Sequence, residues 1–213
     1  MDTDALIDSL AAETPRVSPY ATQIRLAIGL LAGGSISMAG LVASASLRPD
    51  LLAQAAHIGV WIKISYAASL TLSFLLLTYR LSRPTARAGY LWLAPLSVTV
   101  AVMLFPTKEF LATPPDQRAA LWLGTTSWRC VGLIMVLSLP AIAGLGWAFR
   151  RLAPEDPRAA GTSVGLLAGA FAAVEYALAC PEHSAMFLVT FYTLGICLAG
   201  LIGRLIGPRL LRW

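Results

Sequence analysis

The sequence predicts an all-α, polytopic membrane protein: a bundle of six transmembrane helices preceded by a short cytoplasmic amphipathic helix. Three observations predict it. The 213 residues are 57% hydrophobic and 13% charged, with a mean hydropathy of +0.71, against about 25% charged in soluble domains. The charges are bunched, so that six long uncharged gaps separate them. Those gaps are continuous apolar runs without the two-residue alternation of lipid-facing strands, which favours helices over a barrel.

Residues 1–24 come first. Ala5, Leu6, Ile7, Leu10 and Ala11 fall near helical spacing, with Asp2, Asp4, Asp8 and Glu13 on the polar side. Thr3 or Asp4 suits the cap, and Pro15 and Pro19 end the helix in a linker. About ten residues are marginally helical alone, so the segment suits folding against a partner. An acidic start of this kind is not a cleavable signal, which needs a basic start and an immediate apolar core.

The spans follow in order. Twenty-two uncharged residues separate Arg25 from Arg48, 16 separate Lys63 from Arg80, and 20 separate Arg87 from Lys108. Another 20 lie between Arg129 and Arg150, 16 between Arg158 and Glu175, and 21 between Glu182 and Arg204. Roughly 20 mainly apolar residues cover about 30 Å of hydrocarbon. The predicted spans are 26–47, 58–79, 88–105, 130–149, 159–179 and 185–206. Pro95 and Pro140 lie within the third and fourth and are candidate flexible points. The longest connection, 106–129, contains PPDQRAALWL, read as a short interfacial helix with Trp122 and Trp128 at headgroup depth.

Loop charge sets the orientation. One face collects eleven arginines: 16, 25, 80, 83, 87, 150, 151, 158, 204, 209 and 212. The other collects Arg48, Lys63, Lys108, Arg118 and Arg129. The richer face is expected to be cytoplasmic, with both termini inside. The net charge of +5 then reflects topology and contact with the lipid bilayer. No basic cluster interleaved with aromatics points to direct nucleic-acid binding.

Three cysteines divide by depth. Cys197, in GICLAG, reads as a small packing residue. Cys130 opens the fourth span and Cys180 closes the fifth, both at the outer face. Glu182 and His183 share the turn of Cys180, Met186 follows one helical turn past His183, and His57 stands at the outer end of the second span. Arg129 precedes Cys130, and a neighbouring cation favours a thiolate. Glu175 lies about 7 Å deeper than Cys180, and Lys63 is its candidate partner at similar depth. Three readings fit the cluster: a structural disulfide, a soft-metal site for Cu, Zn or Cd built from Cys130, Cys180, His183 and Met186, and a redox switch of the two thiols.

At this point the motifs TDALIDSLAAE, SWRC (127–130), CPEHSAMF (180–187) and the terminal GRLIGPRLLRW resemble the NrsF-type family of bacterial inner-membrane anti-sigma factors. The similarity runs over nearly the whole chain. It implies a protein that holds an extracytoplasmic-function sigma factor inactive and has no enzymatic activity. Residues 1–24 would form the sigma-binding part and 25–213 the sensor. Leu6, Ile7 and Leu10 would dock in an apolar groove of the sigma factor, with Asp4 and Asp8 meeting basic surface. Family members respond to heavy metals and oxidants through a cysteine pair, which maps here to Cys130 and Cys180; no constitutive cofactor is implied. His183 stands where many relatives carry an acid. The rivals are a small metal or ion transporter, suggested by Glu175 and Lys63, and a thiol-redox membrane protein, which usually carries a close CxxC that this chain lacks.

Overall fold

The computed structural model describes residues 20–44, 58–83, 89–150, 152, 154–182 and 184–210, together with 3, 7, 12 and 18. No strand occurs among the described residues. The helices are α1 (Ala21–Ala43), α2 (Ile58–Leu81), α3 (Leu93–Ala112, entered through a 3-10 turn, Gly89–Trp92), α4 (Arg118–Leu123), α5 (Ser127–Phe149), α6 (Pro157–Ala177) and α7 (Ala185–Leu210). Among the described residues five segments are long and apolar enough to cross a membrane: α1, α2, α4 running into α5, α6 and α7. The predicted third span falls on Gly89–Leu104, which is apolar but shorter. The interfacial helix predicted after Pro114–Pro115 is α4.

Pro95 lies in the first turn of α3, just after the 3-10 turn and within the Gly89–Leu104 segment. Pro140 does lie inside α5, and its carbonyl is one of the points where α1 comes close, at Gly33. The start of α6 is marked by Asp156, which accepts from the Arg158 N–H at 2.8 Å, followed by Pro157 in the first helical position.

Small residues decide how the helices meet. α6 is the central element, packed by α1, α2, α5 and α7 and buried at most of its positions. Gly161 and Gly165 face Gly203 and the Ala199–Gly200 step of α7 so closely that an added Cβ would come within 2.4 Å of a backbone oxygen. α1 meets α5 the same way, through Gly29 and Gly33 against Gly144 and the Pro140–Ala141 step. Lipid tails are as apolar as leucine, so close backbone approach and dispersion hold such helices together. At one end of the bundle Gln23 of α1 donates to the Tyr79 hydroxyl of α2 at 3.2 Å, and Arg25, Trp147, Ala148 and Arg150 line a 260 Å³ cavity. The opposite end carries Lys63, Cys130, Cys180 and Glu182.

Candidate functional site

The site is built from the start of α5, the end of α6 and the turn that follows. Cys130 lies in the first turn of α5, its N–H bonded to the Thr126 carbonyl at 2.8 Å, and its side chain is 0% exposed. The last turn of α6 closes with the Ala179 and Cys180 N–H groups on the Tyr176 carbonyl, both at 2.9 Å. Pro181 cannot continue a helical ladder, so the chain turns there with the Cys180 side chain 2% exposed. Both thiols are free and buried. The Tyr176 hydroxyl is in range of both. Tyr192, set by the π-helical segment Leu188–Tyr192, is fully buried beside them, its ring 5.9 Å from that of Tyr176. Its hydroxyl makes no hydrogen bond of ordinary geometry.

The rest of CPEHSAMF holds this corner in place. The Glu182 carboxylate accepts from the Thr125 N–H at 2.8 Å, the Thr125 hydroxyl at 2.7 Å and the Thr126 hydroxyl at 3.2 Å. Gly124, at φ +55°, makes room for it: a Cβ there would lie 2.9 Å from Glu182 Oε2 and 2.8 Å from the Phe187 ring. Burial pulls the Glu182 carboxyl upward, but the Thr125 and Thr126 hydrogen bonds and the charge of Lys63 outweigh it, leaving the group below the usual carboxylate range. Ser184 caps α7 by accepting from the Phe187 N–H at 3.4 Å. One short motif thus ends one helix, grips the preceding loop and starts the next helix.

Several sequence expectations change. Lys63 does not pair with Glu175. Lys63 Nζ donates to the Cys180 carbonyl at 3.1 Å, whereas Glu175 faces Ser37 of α1, with 2.6 Å between oxygens. The two spans are rotated so that the lysine meets the end of α6 and the acid meets α1. Arg129, next to Cys130 in sequence, is exposed. Cys197 is exposed on the outer side of α7 rather than packed inward. Met186 is half-buried in the first turn of α7. His183, His57, Leu6, Leu10, Asp4 and Asp8 lie outside the described residues; Ile7 is helical and 58% exposed. Among the described residues no three His, Cys, Asp or Glu side chains gather as a ligand set.

Sequence reasoning passed over Tyr176, Tyr192, Ser37 and the Thr125–Thr126 pair. Tyr176 was within reach, since it precedes Cys180 by four residues and so shares its helix face. Tyr192 was not, because a π turn shifts the register after it.

Comparison with known proteins gives a consistent answer. The family described as NrsF, negative regulator of sigma F, matches residues 10–213. The anti-sigma-F factor NrsF of Caulobacter vibrioides (strain NA1000 / CB15N) is 37% identical over 214 residues, covering 100% of both chains. The probable anti-sigma-F factor NrsF of Azospira oryzae (strain ATCC BAA-33 / DSM 13638 / PS) is 35% identical over 215 residues, again covering 100% of both. No solved structure matches.

Proposed function

The chain belongs to the NrsF family of negative regulators of sigma F, and from that premise we propose that it is an inner-membrane anti-sigma factor with a thiol sensor. Residues 1–24 sequester an extracytoplasmic-function sigma factor at the cytoplasmic face, and Cys130 with Cys180 receives an oxidant or a soft metal at the outer face. Tethering raises the effective concentration of the sigma-binding segment at the membrane.

The observation that carries this reading is the pairing of two buried, free thiols from different helices at one end of the bundle. Arginines gather at the other. In this topology Gly89–Ala112 is the sixth crossing: α2 ends near Tyr79 and Gln23, α5 begins at Ser127, and Gly89–Ala112 joins those ends. Six crossings put both termini on one side, and the arginine excess makes that side cytoplasmic.

Either signal draws the same two helices together. A two-electron oxidant such as a peroxide takes two electrons from the thiols, which lose two protons and form one S–S bond, while the O–O bond is reduced. A thiophilic ion would be held by Cys130 and Cys180 once they had lost the same protons, with His183 and Met186 as candidate further ligands. Moving a balance from 1:99 to 99:1 requires a preference of about 5.5 kcal/mol for the releasing state, within reach of a bond made in only one state.

The test is capture of the cognate sigma factor by the detergent-solubilised full chain, with and without Cu, Cd or mild oxidant. The expected result is capture that the signal reverses in the wild type but not in Cys130→Ser or Cys180→Ser. Release that ignores the cysteines would remove the sensor from this corner. Absence of capture would bring forward the transporter reading, for which metal or proton flux in proteoliposomes is the assay.

A further inference from the structure

We infer that Glu175 is held as a neutral carboxylic acid and that its proton forms a latch between α6 and α1. The inference starts from hydrogen counting. Ser37 Oγ lies 2.6 Å from Glu175 Oε2 and 2.9 Å from the Gly34 carbonyl oxygen. A hydroxyl carries one hydrogen. The Gly34 carbonyl already lies in the backbone ladder of α1, so the acid is the group that depends on Ser37. Were the carboxylate ionised, one hydrogen would be shared between a buried charge and that carbonyl; with a protonated carboxyl, Glu175 donates to Ser37 Oγ and Ser37 donates to Gly34.

The surroundings agree. Glu175 is 4% exposed, and an isolated charge in such a place is expensive unless paired. The titratable groups on the helices around it are engaged elsewhere. On α2, Lys63 donates to the Cys180 carbonyl and Tyr66 shares a 2.6 Å hydrogen bond with Thr193. Cys130 of α5, Tyr176 of α6 and Tyr192 of α7 face the Cys180 thiol. No charged group among the described residues acts on Glu175. The fit is close as well: a Cβ on Gly34 would meet the Phe171 ring at 2.3 Å and Glu175 Oε1 at 3.3 Å, so α1 carries a notch where α6 places its acid.

This position gives the latch a task, which rests on the anti-sigma reading. α1 leans on α5, the helix of Cys130, through Gly29 and Gly33, and it is tied by Ser37 to α6, the helix that runs into Cys180. A change in the separation of the two thiols therefore moves both supports of α1. α1 follows residues 1–20 in the chain, so it is the route by which the change reaches the opposite face. Glu175 and Ser37 are positioning residues in this scheme.

Two measurements test it. Infrared spectra of the purified full chain at neutral pH should contain a protonated-carboxyl C=O stretch that disappears in Glu175→Gln and shifts in Ser37→Ala; its absence from the wild type overturns the inference without reference to any sigma factor. In the capture assay, Glu175→Gln keeps a donor without a charge and should retain signal-dependent release. Glu175→Ala and Ser37→Ala should reduce it roughly fivefold or more, the scale of ordinary coupling between sites. Loss in Glu175→Gln equal to that in Glu175→Ala overturns the neutral latch, as does full response in both alanine variants. If the wild type captures no sigma factor, the relay falls with the proposed function, and the infrared band alone then decides the protonation state.

Discussion

Replacing Gly144 by alanine should loosen the α1–α5 contact, while the same replacement at Gly132, on the same helix, should not. A Cβ on Gly144 would lie 2.2 Å from the Gly29 carbonyl oxygen, where ordinary contact begins at 3.4 Å. The obstacle is backbone, so no rotamer change relieves it, and the two helices must part by about 1.2 Å, the difference between those distances. Overpacking of this kind costs about 1–3 kcal/mol, offset by up to about 1 kcal/mol of better helix propensity. Gly132 has no atom within 4 Å of the added carbon, leaving only the propensity gain. At about 2–4 °C per kcal/mol for a chain of this size, Gly144→Ala should lower Tm by roughly 5 °C. Gly132→Ala should leave Tm equal or slightly raised. The buried cysteines provide the assay: a fluorogenic maleimide reports their exposure on heating, in a Cys197→Ser background because Cys197 is already exposed. Equal melting of the two variants would refute the claim that backbone proximity at Gly29 and Gly144 holds α1 in place.

Three further outcomes follow from the cysteine corner. Glu182 sits below the usual carboxylate range, so the clamp on Thr125 is fully formed above the unfolded value near 4.3 and is lost as pH falls through the lower folded value; hydrogen exchange at the Thr125 amide should accelerate on acidification, and in Glu182→Gln should be fast already at pH 7. Lys63→Met removes a charged donor and leaves the Cys180 carbonyl short of its 3.1 Å partner; the maleimide melting assay should show a loss of about 2 kcal/mol, and an unchanged Tm would mean that the bond contributes nothing. Mild oxidation of the full chain should give one internal Cys130–Cys180 disulfide in peptide mass spectra, with Cys197 unlinked; cross-linking through Cys197 instead would contradict the burial pattern.

The fold was legible where it depends on solvent. Gaps between charges located five long apolar helices and the shorter Gly89–Leu104 segment because a charge inside hydrocarbon is costly wherever the helix points. Ends were less legible, since a helix continues past its apolar run through charged residues: α1 begins at Ala21, ahead of Arg25, rather than at residue 26, and α5 at Ser127, ahead of Arg129, rather than at 130. Packing was hidden for a different reason. Hydropathy ranks glycine as unremarkable, yet Gly161, Gly165 and Gly203 decide how closely α6 and α7 approach. The spacing of four was present in the sequence, but a stripe of small residues does not say which helix it will meet.

The same limit governed the site. Depth along each span was readable, so Lys63 and Glu175 were placed at similar levels and matched by charge. Rotation about the helix axis was not readable, and rotation decides partners: it sends Lys63 to a backbone carbonyl and Glu175 to a serine. The mismatch has a physical consequence. A buried acid matched with a lysine is a closed ion pair, insensitive to small changes around it, because parting the charges leaves both uncompensated. A buried acid matched with a single hydroxyl is a weaker tie, worth about 1 kcal/mol, and so within the range that a signal at Cys130 and Cys180 can make or break. A switch needs an element whose two arrangements differ by only a few kcal/mol, and Ser37 opposite Glu175 meets that requirement where the expected lysine would not.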